Sequence, residues 1–177
     1  MSDHNELVRL IKPRALPAGV LEIEATADER AALSQRFGVT AISALTATAA
    51  FGEKDGAVLV DGTLRATIEQ PCAVTRDPLA YELEEAFSLR FVPPRDRGDH
   101  ADDEEFELTA EDLDEIEYEG DAFDLGEAIA QELGLAIDPY REGPGADAAR
   151  DEVGIESDEE RKASGPLAEA LSALKKD

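Results

Sequence analysis

The feature that most constrains this chain is a period of two that runs from residue 58 to residue 92 and changes parity once. The even positions first carry Val58, Val60, Gly62, Leu64, Ala66, Ile68, Gln70, Cys72 and Val74, against Asp61, Thr63, Arg65, Thr67 and Glu69 on the odd ones. After "TRDP" (75–78) the odd positions take over, with Leu79, Tyr81, Leu83, Phe87, Leu89 and Phe91 apolar and Glu85 the one charged residue among them, set against Glu82, Glu84, Ser88 and Arg90. Side chains of a strand alternate between faces, so each run is a strand with one apolar face. A parity change across a turn signal makes them one long antiparallel hairpin, 58–75 with 79–92. Its register is strongly specified, because a slip of one residue would turn the whole apolar set to water. Gly62, inside the first strand, reads as a bulge or bend.

The flanking segments extend this sheet. Residues 41–52 place Leu45, Ala47, Ala49 and Phe51 on one side, and "EKDGA" (53–57) holds the Asp-Gly pair of a tight hairpin. "GVLEIEAT" (19–26) alternates as an edge or half-buried strand, and "LVRLI" (7–11) is a short strand closed by Pro13 and Pro17. Between them, Thr26 with Glu29 three residues on has the form of a capping box, Leu33 and Phe37 share a face, and Gly38 suits a left-handed C-terminus. A helix over 26–37 is predicted. "DEIEYEGD" (114–121) alternates like a strand. A second helix begins at Asp124, with Leu125, Ile129, Leu133 and Ile137 every four residues; Gly134 is expected to end it and Leu135 to supply the apolar contact beyond. The fold class that follows is α+β: a curved antiparallel β-sheet, barrel-like, with two or three short helices.

Charge divides the chain differently. Residues 95–160 contain 26 Asp and Glu against 4 Lys and Arg, whereas residues 1–94 contain 14 against 9. We expect residues 1–139 to form a single α+β domain with an acidic loop at 93–114. A flexible acidic linker follows at 140–165, where Gly, Pro, Asp and Ala show no periodicity, and then a short C-terminal helix at 166–176 with Leu167, Leu171 and Leu174 in a stripe. The acidic block repels phosphates and disfavours direct RNA contact through it, while it attracts basic proteins at short range.

Chemistry-bearing patterns are few. Cys72 is the one cysteine; it has no neighbouring base and no second thiol, and it is read as a buried structural thiol on the apolar face of its strand. His4 and His100 lie in polar segments. "DHADDEEFE" (99–107) lacks the spacing of a calcium loop. No phosphate loop, nucleophile elbow or dinucleotide fingerprint occurs, so no catalytic residue, cofactor or metal ligand is assigned. Nothing resembles an export signal or a membrane span, and a lone cysteine suits a reducing compartment, so a cytoplasmic location without membrane association is expected.

"QPCAVTRDPLAYELEEAFSLRFVP" (70–93), "FDLGEAIAQELGLAIDPYREGPGAD" (123–147) and "GPLAEALSALKK" (165–176), in that order and spacing, resemble the YceD family of large ribosomal RNA subunit accumulation proteins, in the form of its alphaproteobacterial branch. The resemblance implies a bacterial, cytosolic, non-enzymatic factor that supports accumulation of large-subunit ribosomal RNA and ribosome assembly. The gene neighbourhood of many members adds a basic ribosomal protein as an expected partner. Many members carry C-x-x-C at the hairpin; here the first position is Cys72 and the second is Thr75, so no metal or redox role carries over.

Residues and resemblance together favour a protein that binds a basic ribosomal protein or assembly factor through an acidic surface, with Glu104, Glu105, Glu107, Glu111, Asp112 and Asp114 as the contact residues. Two alternatives come from other classes. One is a carboxylate- and metal-dependent RNA-processing or hydrolytic enzyme; the other is an acidic nucleic-acid mimic that inhibits a DNA- or RNA-binding protein.

Overall fold

A computed structural model describes residues 6–94 and 115–154. Its strands are β1 (Leu10–Ile11), β2 (Leu21–Glu24), β3 (Ala41–Lys54), β4 (Ala57–Pro71), β5 (Pro78–Val92), β6 (Glu115–Glu117) and β7 (Phe123–Asp124). Its α-helices are α1 (Ala27–Phe37), α2 (Leu125–Ala136) and α3 (Ala146–Val153). The chain divides into two compact units. The first holds the described residues through Pro71 and from Pro78 to Pro139; the second holds Cys72–Asp77 and the described residues from Tyr140 to Gly154.

In the first unit five strands lie in the order β2-β3-β4-β5-β6, antiparallel except for the parallel β5–β6 pair. The sheet is open, with β2 and β6 at its edges, rather than closed as a barrel. Closure would need a strand to bridge those edges, and β2 and β6 are four and three residues long. The hairpin register is the one its alternation demands, running from Val58 opposite Phe91 to Pro71 opposite Pro78. The first turn is also as expected: Asp55 and Gly56 both take positive φ (54° and 79°), the requirement of the tight primed turn that twists with its strands.

Pairing continues through Gly62 without a shift, which corrects its reading as a bulge. The irregularity lies instead on β3, between Ile42 and Ala44, and Ser43 is the extra residue. Gly62 is glycine for space: a Cβ there would run into the Thr48 carbonyl oxygen and the Phe87 ring.

One face of the sheet is apolar. Leu45, Ala47 and Ala49 of β3, Val58, Val60, Leu64, Ala66 and Ile68 of β4, and Phe87, Leu89 and Phe91 of β5 are buried there, together with Leu33 of α1 and Leu125, Ile129 and Leu133 of α2. Each large aliphatic side chain so buried contributes about 2 kcal/mol. Phe91 stacks on Phe123 with centroids 4.0 Å apart, which brings β7 and the start of α2 over the end of β5.

The helix termini follow local rules. Thr26 Oγ1 accepts from Glu29 N and the Glu29 carboxylate accepts from Thr26 N, while Gly38 takes the left-handed conformation. Asp124 accepts from the amides of Gly126 and Glu127 and caps α2. Gly134, however, does not end α2, which continues to Ala136. Its missing Cβ makes room for Phe37 of α1, whose Cε1 would stand 2.9 Å from it. Because the helix continues, Leu135 points outward and is 81% exposed instead of closing a cap.

In the second unit, residues 146–153 form α3 within the stretch read as linker. Gly154 adopts the left-handed conformation at its end, and Ala146 is buried. The C-terminal helix expected at 166–176 lies outside the described residues.

Candidate functional site: the polar face of the sheet and the Cys72 loop

The contact residues inferred from sequence, Glu104, Glu105, Glu107, Glu111, Asp112 and Asp114, lie outside the described residues, as do His4 and His100. What the structure does place is the polar half of the hairpin alternation. The even positions of β2, of β3 from Ala44 onward and of β5 through Arg90, with the odd positions of β4 from Leu59, share the face opposite the core, where their side chains are exposed or half-buried.

Register arranges these side chains in rows across the strands. One row runs Glu24–Thr46–Arg65–Glu84 and its neighbour runs Ala44–Thr67–Glu82. A third runs Glu22–Thr48–Thr63–Ala86. Threonines occupy the middle, joined by Arg65 in the first row, and a carboxylate stands at one or both ends of each row. Above the first two rows lies an open trough of about 580 Å³, lined by Ala44, Thr46, Arg65, Thr67, Glu82 and Glu84 among others.

Two guanidiniums sit on this face and both are engaged. Arg65 Nη2 donates to Glu84 Oε1 at 2.9 Å, and Arg90 Nε donates to Glu115 Oε1 at 3.0 Å. The hydrogen bond from Arg65 holds the Glu84 carboxyl below its usual range. Glu22, Glu24, Asp61, Glu69 and Glu82 add further negative charge to the same side of the strands. Sequence parity identified which residues face outward; it could not show which of them stand side by side, because that depends on pairing between strands.

The second feature belongs to the second unit. Strand β4 ends at Pro71, so Cys72 is not the strand residue its parity suggested but the first residue of the loop. The backbone turns at once: Cys72 N donates to Asp77 O, and Arg76, with φ of 65°, donates its N–H back to Cys72 O. Ala73 N donates to Arg141 O. Cys72 is fully buried, as expected of a small apolar residue, but its sulfur is an acceptor. The amides of Thr75 and Gly143 both donate to Sγ, at 3.4 and 3.3 Å. The Thr75 side chain, and then the Thr75 and Gly143 amides, bring the thiol down to about 7 against the opposing effect of burial. The signal missed in the sequence was Gly143, which is distant along the chain and carries no side chain to mark it.

Among the described residues no three His, Cys, Asp or Glu side chains converge as a metal ion would require. No described helix is long and apolar enough to cross a membrane. The arrangement therefore offers a polar, acid-flanked protein surface and a thiol saturated with amide donors.

A protein-family model described as "Large ribosomal RNA subunit accumulation protein YceD" matches residues 60–176. That span covers the core hairpin, the Cys72 loop, α2 and α3. No curated protein and no solved structure matches the chain.

Proposed function

The chain belongs to the YceD family, and from that premise we propose that it supports accumulation of large-subunit ribosomal RNA by holding a basic ribosomal protein or assembly factor on an acidic surface, without making or breaking bonds itself. The family's description supplies the coarse role in ribosomal RNA accumulation. The observation that carries the finer reading is charge: 42 Asp and Glu against 17 Lys and Arg in 177 residues, with the excess concentrated in 95–160.

Such a surface repels the phosphate backbone and attracts the Lys and Arg residues with which ribosomal proteins bind it. An acidic escort can occupy those cations until ribosomal RNA, with its much denser charge, displaces it. The protein then protects the assembly of the large subunit by keeping one of its basic components in a usable form.

Affinity purification from cells, with and without RNase, tests this. A basic protein partner retained after RNase treatment, and released as salt rises, is the expected result. Loss of every partner on RNase treatment, or retention only of neutral and acidic proteins, would overturn it.

A further inference from the structure

The polar face of the sheet deepens this reading, and the inference rests on it. We propose that the trough over the Glu24–Thr46–Arg65–Glu84 and Ala44–Thr67–Glu82 rows is the docking surface for an extended Lys- and Arg-rich segment of a protein partner, and that Arg65 occupies the place of one of that segment's cations.

Three observations support it. First, the trough is lined by the short residues Ala44, Thr46 and Thr67 with Arg65 among them, Glu82 and Glu84 line its β5 side, and Glu24 stands next to Thr46 in the same row on β2. Second, the open trough of about 580 Å³ has the volume of a few amino-acid residues rather than of a folded domain, which suits an extended chain. Third, charge complementarity has an internal example. The Arg65 guanidinium already sits on Glu84 at 2.9 Å, with both side chains well exposed (68% and 60%), so a cation is accommodated there by a contact that water and salt weaken and an incoming lysine or arginine can replace.

RNA is the competing macromolecule, and the same carboxylates oppose it. Threonine hydroxyls would satisfy the polar backbone of a segment lying across them, so the surface accepts a range of basic sequences rather than one.

The test uses the full chain and a fluorescent peptide of about twelve residues alternating Lys and Ala, with binding read by anisotropy at low and physiological salt. The triple variant E24K/E82K/E84K should bind at least about tenfold more weakly than wild type, consistent with the loss of several short-range ion contacts. A triple reversal of the same charge at exposed carboxylates that do not line the trough, D28K/E53K/D77K, should cost less than about threefold. Arg65→Ala, which frees Glu84, should strengthen binding severalfold. Melting curves on all three variants confirm that the exposed substitutions leave the fold intact.

If the two triple variants weaken binding equally, or if Arg65→Ala has no effect, the trough is not the seat and this inference fails, while the acidic-surface function stands. If the wild-type chain does not bind the peptide, or binds single-stranded RNA more tightly, both fail.

Discussion

Gly62 faces Phe87 directly across the β4–β5 ladder, and the aromatic ring fills the volume that any other residue's Cβ would need. The Thr48 carbonyl closes the same space from the β3 side. Glycine is thus required in the middle of a strand where its flexibility is otherwise a cost.

Gly62→Ala is therefore expected to destabilise the protein even though alanine is ordinarily the better strand residue. The added methyl must displace backbone as well as ring, an overpacking cost of about 1–3 kcal/mol. Chemical denaturation checks it. The double variant with Phe87→Leu should recover only part of the loss, because the Thr48 carbonyl remains in place.

Glu29 links two elements through one carboxylate. It accepts from Thr26 N in the capping box of α1, and it takes a two-pronged hydrogen bond from Arg9 at 2.7 and 3.0 Å beside β1. The Arg9 hydrogen bond, assisted by the Thr26 amide, lowers the Glu29 carboxyl to about 2 from the ordinary 4.5. A depressed carboxyl contributes stability that is present above its unfolded value and lost as pH falls through the folded one. Stability should therefore decline between about pH 4.5 and 2 in part through this group. Glu29→Gln should cost about 1–2 kcal/mol at neutral pH. It should also flatten that segment of the acid-unfolding profile, which a series of melts across pH 2–6 would read.

Much of the fold was legible because its determinants are local. The capping box of Thr26 and Glu29, the Asp55-Gly56 turn and the parity of the long hairpin each reside within a few consecutive residues. The misreadings share the opposite property. Gly134 looked like a helix end, but its role is set by Phe37, on another helix. Gly62 looked like a bulge, but its role is set by Phe87 and Thr48 on neighbouring strands, and the true bulge at Ser43 had no glycine to mark it. Helix α3 has only eight residues and its apolar stripe, Ala146, Ala149 and Val153, is mostly alanine, so little in its own sequence outweighed the Gly and Pro around it. For the candidate surface, parity separated outward from inward residues. The neighbourhood of Glu24, Arg65 and Glu84 emerged only once four strands were paired in register.

Cys72 gives a pH dependence of the same kind as Glu29 at the other end of the scale. Its thiol, held by the Thr75 side chain and by the Thr75 and Gly143 amides, ionises near 7 in the folded chain against 9 ordinarily. A depressed acid stabilises the folded state above its unfolded value and loses that contribution as pH falls through the folded one. The stability difference between wild type and Cys72→Ser should therefore shift in favour of wild type from about pH 7 to 9 and stay constant with pH below about 6. Paired thermal melts across that range measure the gap. Absorbance of the thiolate near 240 nm, titrated in the native protein and in Cys72→Ser, reads the ionisation itself. Thr75→Val should move that titration upward, since it removes the hydroxyl and leaves the amide in place.

Gln70 is the buried polar residue at the end of β4, 4% exposed, and its amide is used on both sides. Its Oε1 accepts from the Tyr81 hydroxyl at 2.8 Å across the hairpin, and its Nε2 donates to the Asp138 carbonyl at 2.8 Å just beyond α2. A buried acceptor stripped of its donor costs more than the bond it loses, because water cannot replace the donor. Tyr81→Phe should thus destabilise by about 1–2 kcal/mol. Gln70→Leu should do similar harm, because it removes at once the acceptor of the Tyr81 hydroxyl and the donor to the Asp138 carbonyl. If the two residues act through their shared hydrogen bond, the double variant Gln70→Leu/Tyr81→Phe will cost less than the sum of the singles, with a coupling of about 0.5–1.5 kcal/mol. Additive costs in urea denaturation would show that Gln70 matters through Asp138 alone, as the tie between the end of β4 and the residue that follows α2.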